Sequence, residues 1–179
     1  MKFSLKDIVF AAITSAAMNV VSFITVPLVI ALPIPGIRTI VVAPFYGLLL
    51  AIALMKIGKP GALTLISLLA GGVLVFISPA ILAFLLASGI VADLCYWLFL
   101  RKLPQNRGMV WTAGIFMAMM VPFGILFGAL LAAGTSVSQF LTQPLLIALT
   151  TVICFILGSL GGMLGVKIGK EFQGISLMK

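Results

Sequence analysis

The sequence contains few side chains that could carry out acid–base or metal chemistry. Its 179 residues include no histidine and three acidic residues, Asp7, Asp93 and Glu171, which are far apart along the chain. A catalytic site needs a nucleophile with a base, a carboxylate pair or metal ligands. The two cysteines, Cys95 and Cys154, have no paired spacing and fall in apolar segments. No phosphate-binding GxxxxGK(S/T) motif is present. We therefore expect neither enzyme activity nor a metal or cofactor.

Two polar residues fall inside predicted membrane segments. Asp93 lies toward one end of the predicted fourth helix, where an ionised carboxylate is costly unless it is paired or hydrated. It could form a proton or cation site, or it could bond structurally to Arg101, Lys102 or a hydroxyl. Asn19 lies near the middle of the predicted first helix and must find an internal partner or line a wet cavity. If both lined one path, the chain would be a self-sufficient small transporter or channel.

The composition indicates which elements must position these groups. Apolar residues make up 63% of the chain and charged residues 8%, against about 25% charged residues in a globular domain. Because a spanning helix needs about 20 apolar residues, the sequence predicts an all-α integral membrane protein. It forms one domain over residues 1–179, a compact bundle of six transmembrane helices. The predicted helices are 7–32, 37–55, 62–77, 80–100, 109–133 and 144–166.

The basic residues predict how this bundle is oriented. In the six-helix arrangement ten of the eleven basic residues fall on one side, and Arg38 alone falls on the other. Short loops rich in Lys and Arg stay in the cytoplasm, so both chain ends are expected on the cytoplasmic side of a cytoplasmic (inner) membrane. The net charge of +8 is explained by this asymmetry, and we expect no nucleic-acid partner.

The outer side carries the residues that could bind a small molecule. Arg38 could attract an anionic group of a ligand, or its side chain could extend to lipid phosphates. An aromatic, mostly apolar cavity with a few polar groups is typical of a small-molecule site. The candidate substrate-binding residues in this region are Arg38, Phe45, Tyr46, Phe84, Phe123, Phe127, Gln139 and Gln143.

Small residues mark two places where helices could approach closely. Ala12 and Ala16 lie one turn apart on the first helix and could face a partner subunit or the chain itself. A glycine stripe runs along the sixth helix, where packing within the chain is the favoured interpretation. Its members are Gly158, Gly161, Gly162, Gly165 and Gly169.

The layout resembles the substrate-binding S component of energy-coupling factor (ECF) transporters. A basic N-terminus with Lys6-Asp7 precedes a first helix with Ala12 and Ala16, in a chain of six helices and about 180 residues. The stretches 42–47 (VAPFYG), 56–61 (KIGKPG) and 89–94 (GIVADL) resemble the Trep_Strep-type members of that group.

This resemblance implies a function and a set of partners. S components capture a vitamin or related micronutrient from outside, associate with a membrane coupling subunit and two cytoplasmic ATPase subunits, and topple in the bilayer to release the substrate inside. The alanine motif of the family contacts the coupling subunit, which implies that role for Ala12 and Ala16. No ligand-specific motif is evident, so the resemblance leaves the substrate open.

Overall fold

The computed structural model describes residues 3–30, 36–100, 103–131 and 144–176, which form six helices and no strand. Five of these helices are long and apolar enough to cross a membrane. The third has 13 residues and is about 20 Å long, shorter than the roughly 30 Å hydrocarbon core of a bilayer. The helices are α1 Leu5–Ile30, α2 Ile37–Ile57, α3 Ala62–Leu74, α4 Pro79–Leu98, α5 Gln105–Leu131 and α6 Pro144–Ser176.

The predicted order of six helices is confirmed for the described residues, but two predicted ends are wrong. The sequence predicts that the third helix extends to residue 77, whereas α3 ends at Leu74, whose carbonyl accepts bonds from the N–H groups of Ile77 and Ser78 in a tight turn. The sequence also predicts a charged tail after residue 166. Instead α6 continues to Ser176, because Gly169 still packs against Met55 of α2.

The connection between α2 and α3 depends on glycine. Gly58 and Gly61 have φ angles of 60° and 87°, in the left-handed region that other residues rarely adopt. The N–H of Gly58 donates to the carbonyl of Leu54, which closes the last turn of α2. The chain can therefore reverse direction within four residues.

Each of the six helices runs opposite to the one before it, so the bundle has two distinct ends. At one end Lys59 forms an ion pair with Asp7, and Gly169 meets Met55. At the other end Arg38 bonds to Ser22. We call the second the Arg38 end. We call the first the basic end, because six described basic residues lie near the helix ends or in the α2–α3 connection there: Lys6, Lys56, Lys59, Arg107, Lys167 and Lys170.

The glycine stripe of α6 packs within the chain, as the favoured interpretation predicted. A methyl group on Gly161 would lie 2.7 Å from the carbonyl carbon of Pro44, and one on Gly158 would lie 2.8 Å from the Cβ atom of Met117. A methyl group on Gly165 would lie 3.1 Å from the carbonyl carbon of Leu48. These contacts bring the α6 backbone directly against α2 and α5, as small residues allow in membrane bundles.

Large apolar side chains cover much of the outer surface. Phe76 and Leu145, both near the Arg38 end, are 93% and 84% exposed, and similar side chains continue along the outward faces of α1, α4 and α6. A monomeric soluble protein rarely exposes so large an apolar surface. The exposed faces are therefore suited to contact with lipid.

Candidate functional site

A cavity of about 450 Å³ opens at the Arg38 end of the bundle. Its volume is within the roughly 300–1,000 Å³ of small-molecule sites. All six helices contribute to its wall. The lining residues are Ser22, Gly36, Arg38, Thr39, Val42, Tyr46, Leu74, Ile81, Phe84, Leu85, Met120, Val121, Gly124, Ile125, Leu146, Ile147 and Thr150.

The polar groups of the cavity gather on one side, where α1 meets α2. The Nη2 atom of Arg38 donates to the Oγ atom of Ser22 at 2.6 Å. Ser22 is 8% exposed, whereas Arg38 as a whole is exposed, so this bond ties an exposed side chain to a buried hydroxyl at the entrance of the cavity. The Tyr46 hydroxyl, two turns along α2, interacts with Ser22 and lies near the charge of Arg38. A cation and two hydroxyl groups thus converge on one point.

Gly36 shapes the wall beside this polar group. Its φ angle is 78°, and a side chain there would be strained for that reason. A Cβ atom at Gly36 would also lie 2.8 Å from the Cγ2 methyl of Thr150. Glycine therefore allows the start of α2 to lie directly against α6 at the rim of the cavity.

Apart from Thr39 and Thr150, the remainder of the wall is apolar. Most of it is formed by residues of three helices, among them Phe84 and Leu85 of α4, Val121 and Ile125 of α5, and Ile147 of α6. Such a wall can bury the hydrocarbon part of a ligand at about 25 cal/mol per Å² of apolar surface. The cavity therefore combines one polar corner with a large apolar volume.

Some of the predicted substrate-binding residues meet in this cavity and others do not. Arg38, Tyr46 and Phe84 line it. Phe45 is 52% exposed on the outside of α2, because consecutive residues of a helix are about 100° apart around its axis. Phe123 and Phe127 pack on each other, with ring centroids 6.3 Å apart, and neither lines the cavity. The predicted residues Gln139 and Gln143 lie outside the described residues.

Several cavity residues carry little signal in the sequence. In the sequence, nothing distinguishes Ser22 and Thr150 from other small polar residues in apolar helices. Helical spacing could have found part of the set, since Thr39, Val42 and Tyr46 recur every three or four residues on one face of α2. Helical spacing alone does not indicate which face of α2 points into the cavity.

The two intramembrane polar residues lie outside the cavity lining. The Oδ2 atom of Asp93 accepts hydrogen bonds from the backbone N–H of Thr64 at 2.8 Å and from its hydroxyl at 2.7 Å. This carboxylate thereby satisfies a donor in the first turn of α3, whose preceding residue, Gly61, has no capping side chain. The Nδ2 atom of Asn19 donates to the carbonyl of Ala70 at 3.4 Å. Both residues link helices.

The alanine pair of α1 faces away from the bundle. Ala12 and Ala16 are both exposed, and so are their neighbours Val9, Ile13 and Val20 on the same side of the helix. The opposite side of α1 carries Ser15, whose hydroxyl donates to the carbonyls of Ala11 and Ile66. The pair is thus accessible to lipid or to another subunit.

These features define a multi-pass helical membrane protein with a ligand-sized cavity at one end. Among the described residues, no group of three His, Cys, Asp or Glu side chains could hold a metal ion. Comparison of the chain with protein-family models, with curated proteins and with solved structures gives no match. The chemistry of the cavity and of the helix surfaces therefore carries the functional argument.

Proposed function

We propose that this chain is the substrate-capture (S) component of an ATP-driven importer of the energy-coupling factor type. It takes up a vitamin or related micronutrient from the outer side of the cytoplasmic membrane. The observation that carries this proposal is the cavity of about 450 Å³, which joins the Arg38–Ser22–Tyr46 polar corner to an apolar wall. Capture of a small organic molecule needs such a combination.

The distribution of charge supports the direction of transport. Basic residues at the helix termini cluster at the end opposite the cavity. Short basic loops are retained in the cytoplasm, so the cavity opens to the outside in this proposal. Both termini of the chain then lie in the cytoplasm, where ATPase subunits would be reached.

The outward face of α1 supports association with a second membrane protein. Ala12 and Ala16 form a flat, exposed strip one turn apart, and small residues of this kind allow the backbones of two membrane helices to approach closely. We propose that a membrane coupling subunit packs here and that two ATPase subunits supply the energy. The chain has no nucleotide-binding motif with which to supply that energy alone.

A self-sufficient transporter or channel has less support. Such a protein would use Asp93 and Asn19 along its path. The Asp93 carboxylate bonds to the start of α3, the Asn19 amide bonds to Ala70, and neither lines the cavity. No observation on these two residues favours that function over capture.

The test is co-purification of the tagged chain from its native membrane. We expect two subunits with GxxxxGK(S/T) motifs and a third, multi-pass subunit to co-purify in fixed stoichiometry. Ala12→Trp and Ala16→Trp should each abolish this complex. Ala148→Trp, a matched change at an exposed alanine of α6, should leave it intact. The proposal would be contradicted if the wild-type chain purified without ATPase subunits and if the chain alone, in liposomes, drove uptake of a small organic molecule.

A further inference from the structure

Among the residues that the structure describes, Arg38 is the only charged residue at the Arg38 end of the bundle. Between residues 8 and 55 it is the only charged residue, and the ranges 60–92 and 108–166 contain none. These ranges include every residue that lines the cavity. The Arg38 guanidinium therefore has no carboxylate of its own chain among the residues that line the cavity.

The three acidic residues of the chain all lie toward the basic end. Asp7 pairs with Lys59, Asp93 bonds to the start of α3, and Glu171 follows the contact of Gly169 with Met55. The 21 residues of α2 separate Arg38 from that end by about 30 Å. No acid of this chain can neutralise Arg38 at such a distance.

We propose that the cavity selects molecules with a single negative charge, a carboxylate above all, on an apolar body. This inference rests on the proposed capture function and names its substrate class. The carboxylate would meet the Arg38 guanidinium and the hydroxyl groups beside it, while the hydrocarbon part would occupy the wall formed by α4, α5 and α6.

The geometry of Arg38 favours a ligand in the cavity over a lipid headgroup at the surface. An arginine that serves lipid phosphates extends its charged group outward to the interface. Here the Nη2 atom of Arg38 donates inward to Ser22, which is buried, and Tyr46 lies on the same side. Arg38 as a whole is exposed, so this bond holds the guanidinium at the entrance of the cavity, where it can meet an anion whose apolar part enters the cavity.

The number of charges sets the class of anion. One guanidinium balances one negative charge and presents a planar pair of donors that matches a carboxylate. A phosphate monoester with two charges would keep one uncompensated charge next to apolar walls, and a cationic ligand would be repelled by Arg38. A neutral ligand would leave Arg38 without a counter-charge.

The test is affinity selection on the full-length chain in nanodiscs of zwitterionic phosphatidylcholine. The probes are an equimolar set of aryl- and alkyl-monocarboxylates, their primary amides and phosphate monoesters of similar size, with bound compounds read by mass spectrometry. We expect monocarboxylates to be retained and each matched amide to be retained at least about 10-fold less. Arg38→Gln should weaken retention by about 10- to 100-fold, and Lys167→Gln, which removes an exposed charge at the basic end, should change nothing.

Several results would overturn the inference. They are equal retention of acids and amides, undiminished retention by Arg38→Gln, preferential retention of phosphate monoesters, or retention of no compound. In parallel nanodiscs that contain phosphatidylglycerol, an Arg38-dependent lipid adduct that excludes the monocarboxylates would assign the site to lipid and also overturn it.

Failure of this inference can be separated from failure of the proposed function. If amides are retained and ATPase subunits co-purify, capture stands and the anionic substrate class is wrong. If monocarboxylates are retained through Arg38 but no ATPase subunits co-purify, the anion site stands and the importer assignment is wrong.

Discussion

Substitution of Gly161 by alanine tests how closely α6 packs on α2. A methyl group at Gly161 would lie 2.7 Å from the carbonyl carbon and 2.9 Å from the Cα atom of Pro44, and closer still to its carbonyl oxygen. Favourable carbon–carbon contacts lie at about 3.5–4.0 Å, so the two helices would have to separate by about 1 Å. No rotamer change can relieve this clash, because the opposing atoms belong to the backbone.

The expected cost follows from that displacement. Overpacking of a close-packed interior costs about 1–3 kcal/mol, and the higher helix propensity of alanine offsets about 0.5–1 kcal/mol of it. Because the opposing atoms are backbone, we take the upper value for overpacking. After the offset from helix propensity, Gly161→Ala should lower the free energy of unfolding by about 2 kcal/mol. Gly124→Ala is the control, because no atom lies within 4 Å of a methyl group there. It should leave the free energy of unfolding unchanged or raise it by up to about 1 kcal/mol.

Titration with SDS in mixed micelles, followed by far-UV circular dichroism, measures both variants against the wild type. We expect the free energies of unfolding of Gly161→Ala and Gly124→Ala to differ by about 2–3 kcal/mol. If Gly161→Ala unfolds at the same SDS fraction as Gly124→Ala, or at a higher one, the close approach of α6 to α2 is refuted.

Two further predictions concern hydrogen bonds inside the bundle, and the same titration measures both. Asp93→Ala removes a charged acceptor at the start of α3 and should lower the free energy of unfolding by about 1.5–3 kcal/mol, whereas Asp93→Asn keeps an oxygen acceptor and should lose less. Equal losses would contradict the capping role. Ser15→Ala breaks a bond between helices and should cost about 0.6 kcal/mol and at most about 1.7 kcal/mol. Ser67→Ala removes a buried hydroxyl that has no hydrogen-bond partner among the described residues and should cost nothing; a loss as large as that of Ser15→Ala would contradict this reasoning.

The number of helices and the grouping of charge were predictable because each follows from where apolar runs and charged residues fall along the sequence, although α3, with 13 residues, is shorter than the membrane-spanning helix that the sequence predicts there. A run of about 20 apolar residues forms a helix in lipid whatever its neighbours are, and the charged residues fall between such runs. The glycine stripe of α6 was predictable for a similar reason. Gly158, Gly161 and Gly165 lie on one side of a helix by spacing alone, and close packing needs small residues.

The lining of the cavity depends on how each helix is rotated about its axis, and the sequence carries little signal for that rotation. A membrane helix is apolar on every side, so no amphipathic stripe marks the face that points inward. Tyr46 therefore could not be separated from Phe45, although one lines the cavity and the other is exposed. Thr150 gave no signal, since its hydroxyl donates to the carbonyl of Leu146 in its own helix. Ser22 becomes informative only once Arg38 is seen to reach it.

Helix ends were predicted less well where tertiary contacts decide them. Nothing in the composition after residue 166 indicates that α6 continues, because the segment contains charged residues and lacks an apolar run. The contact of Gly169 with Met55 extends the packed interface by another turn. Packing against α2 therefore stabilises α6 beyond the end that the sequence predicts.

The central claim is that the cavity at the Arg38 end is where this chain captures its substrate. Gly124 lines that cavity, and a side chain there meets no other atom within 4 Å, so Gly124→Leu should fill the binding volume without a clash. Gly72→Leu is the matched control, because Gly72 also has open space around it but lies outside the cavity lining. The measurement is retention of the probe compounds, of any charge class, by each variant in phosphatidylcholine nanodiscs. The account predicts that Gly124→Leu loses retention while Gly72→Leu matches the wild type; full retention by Gly124→Leu would contradict it.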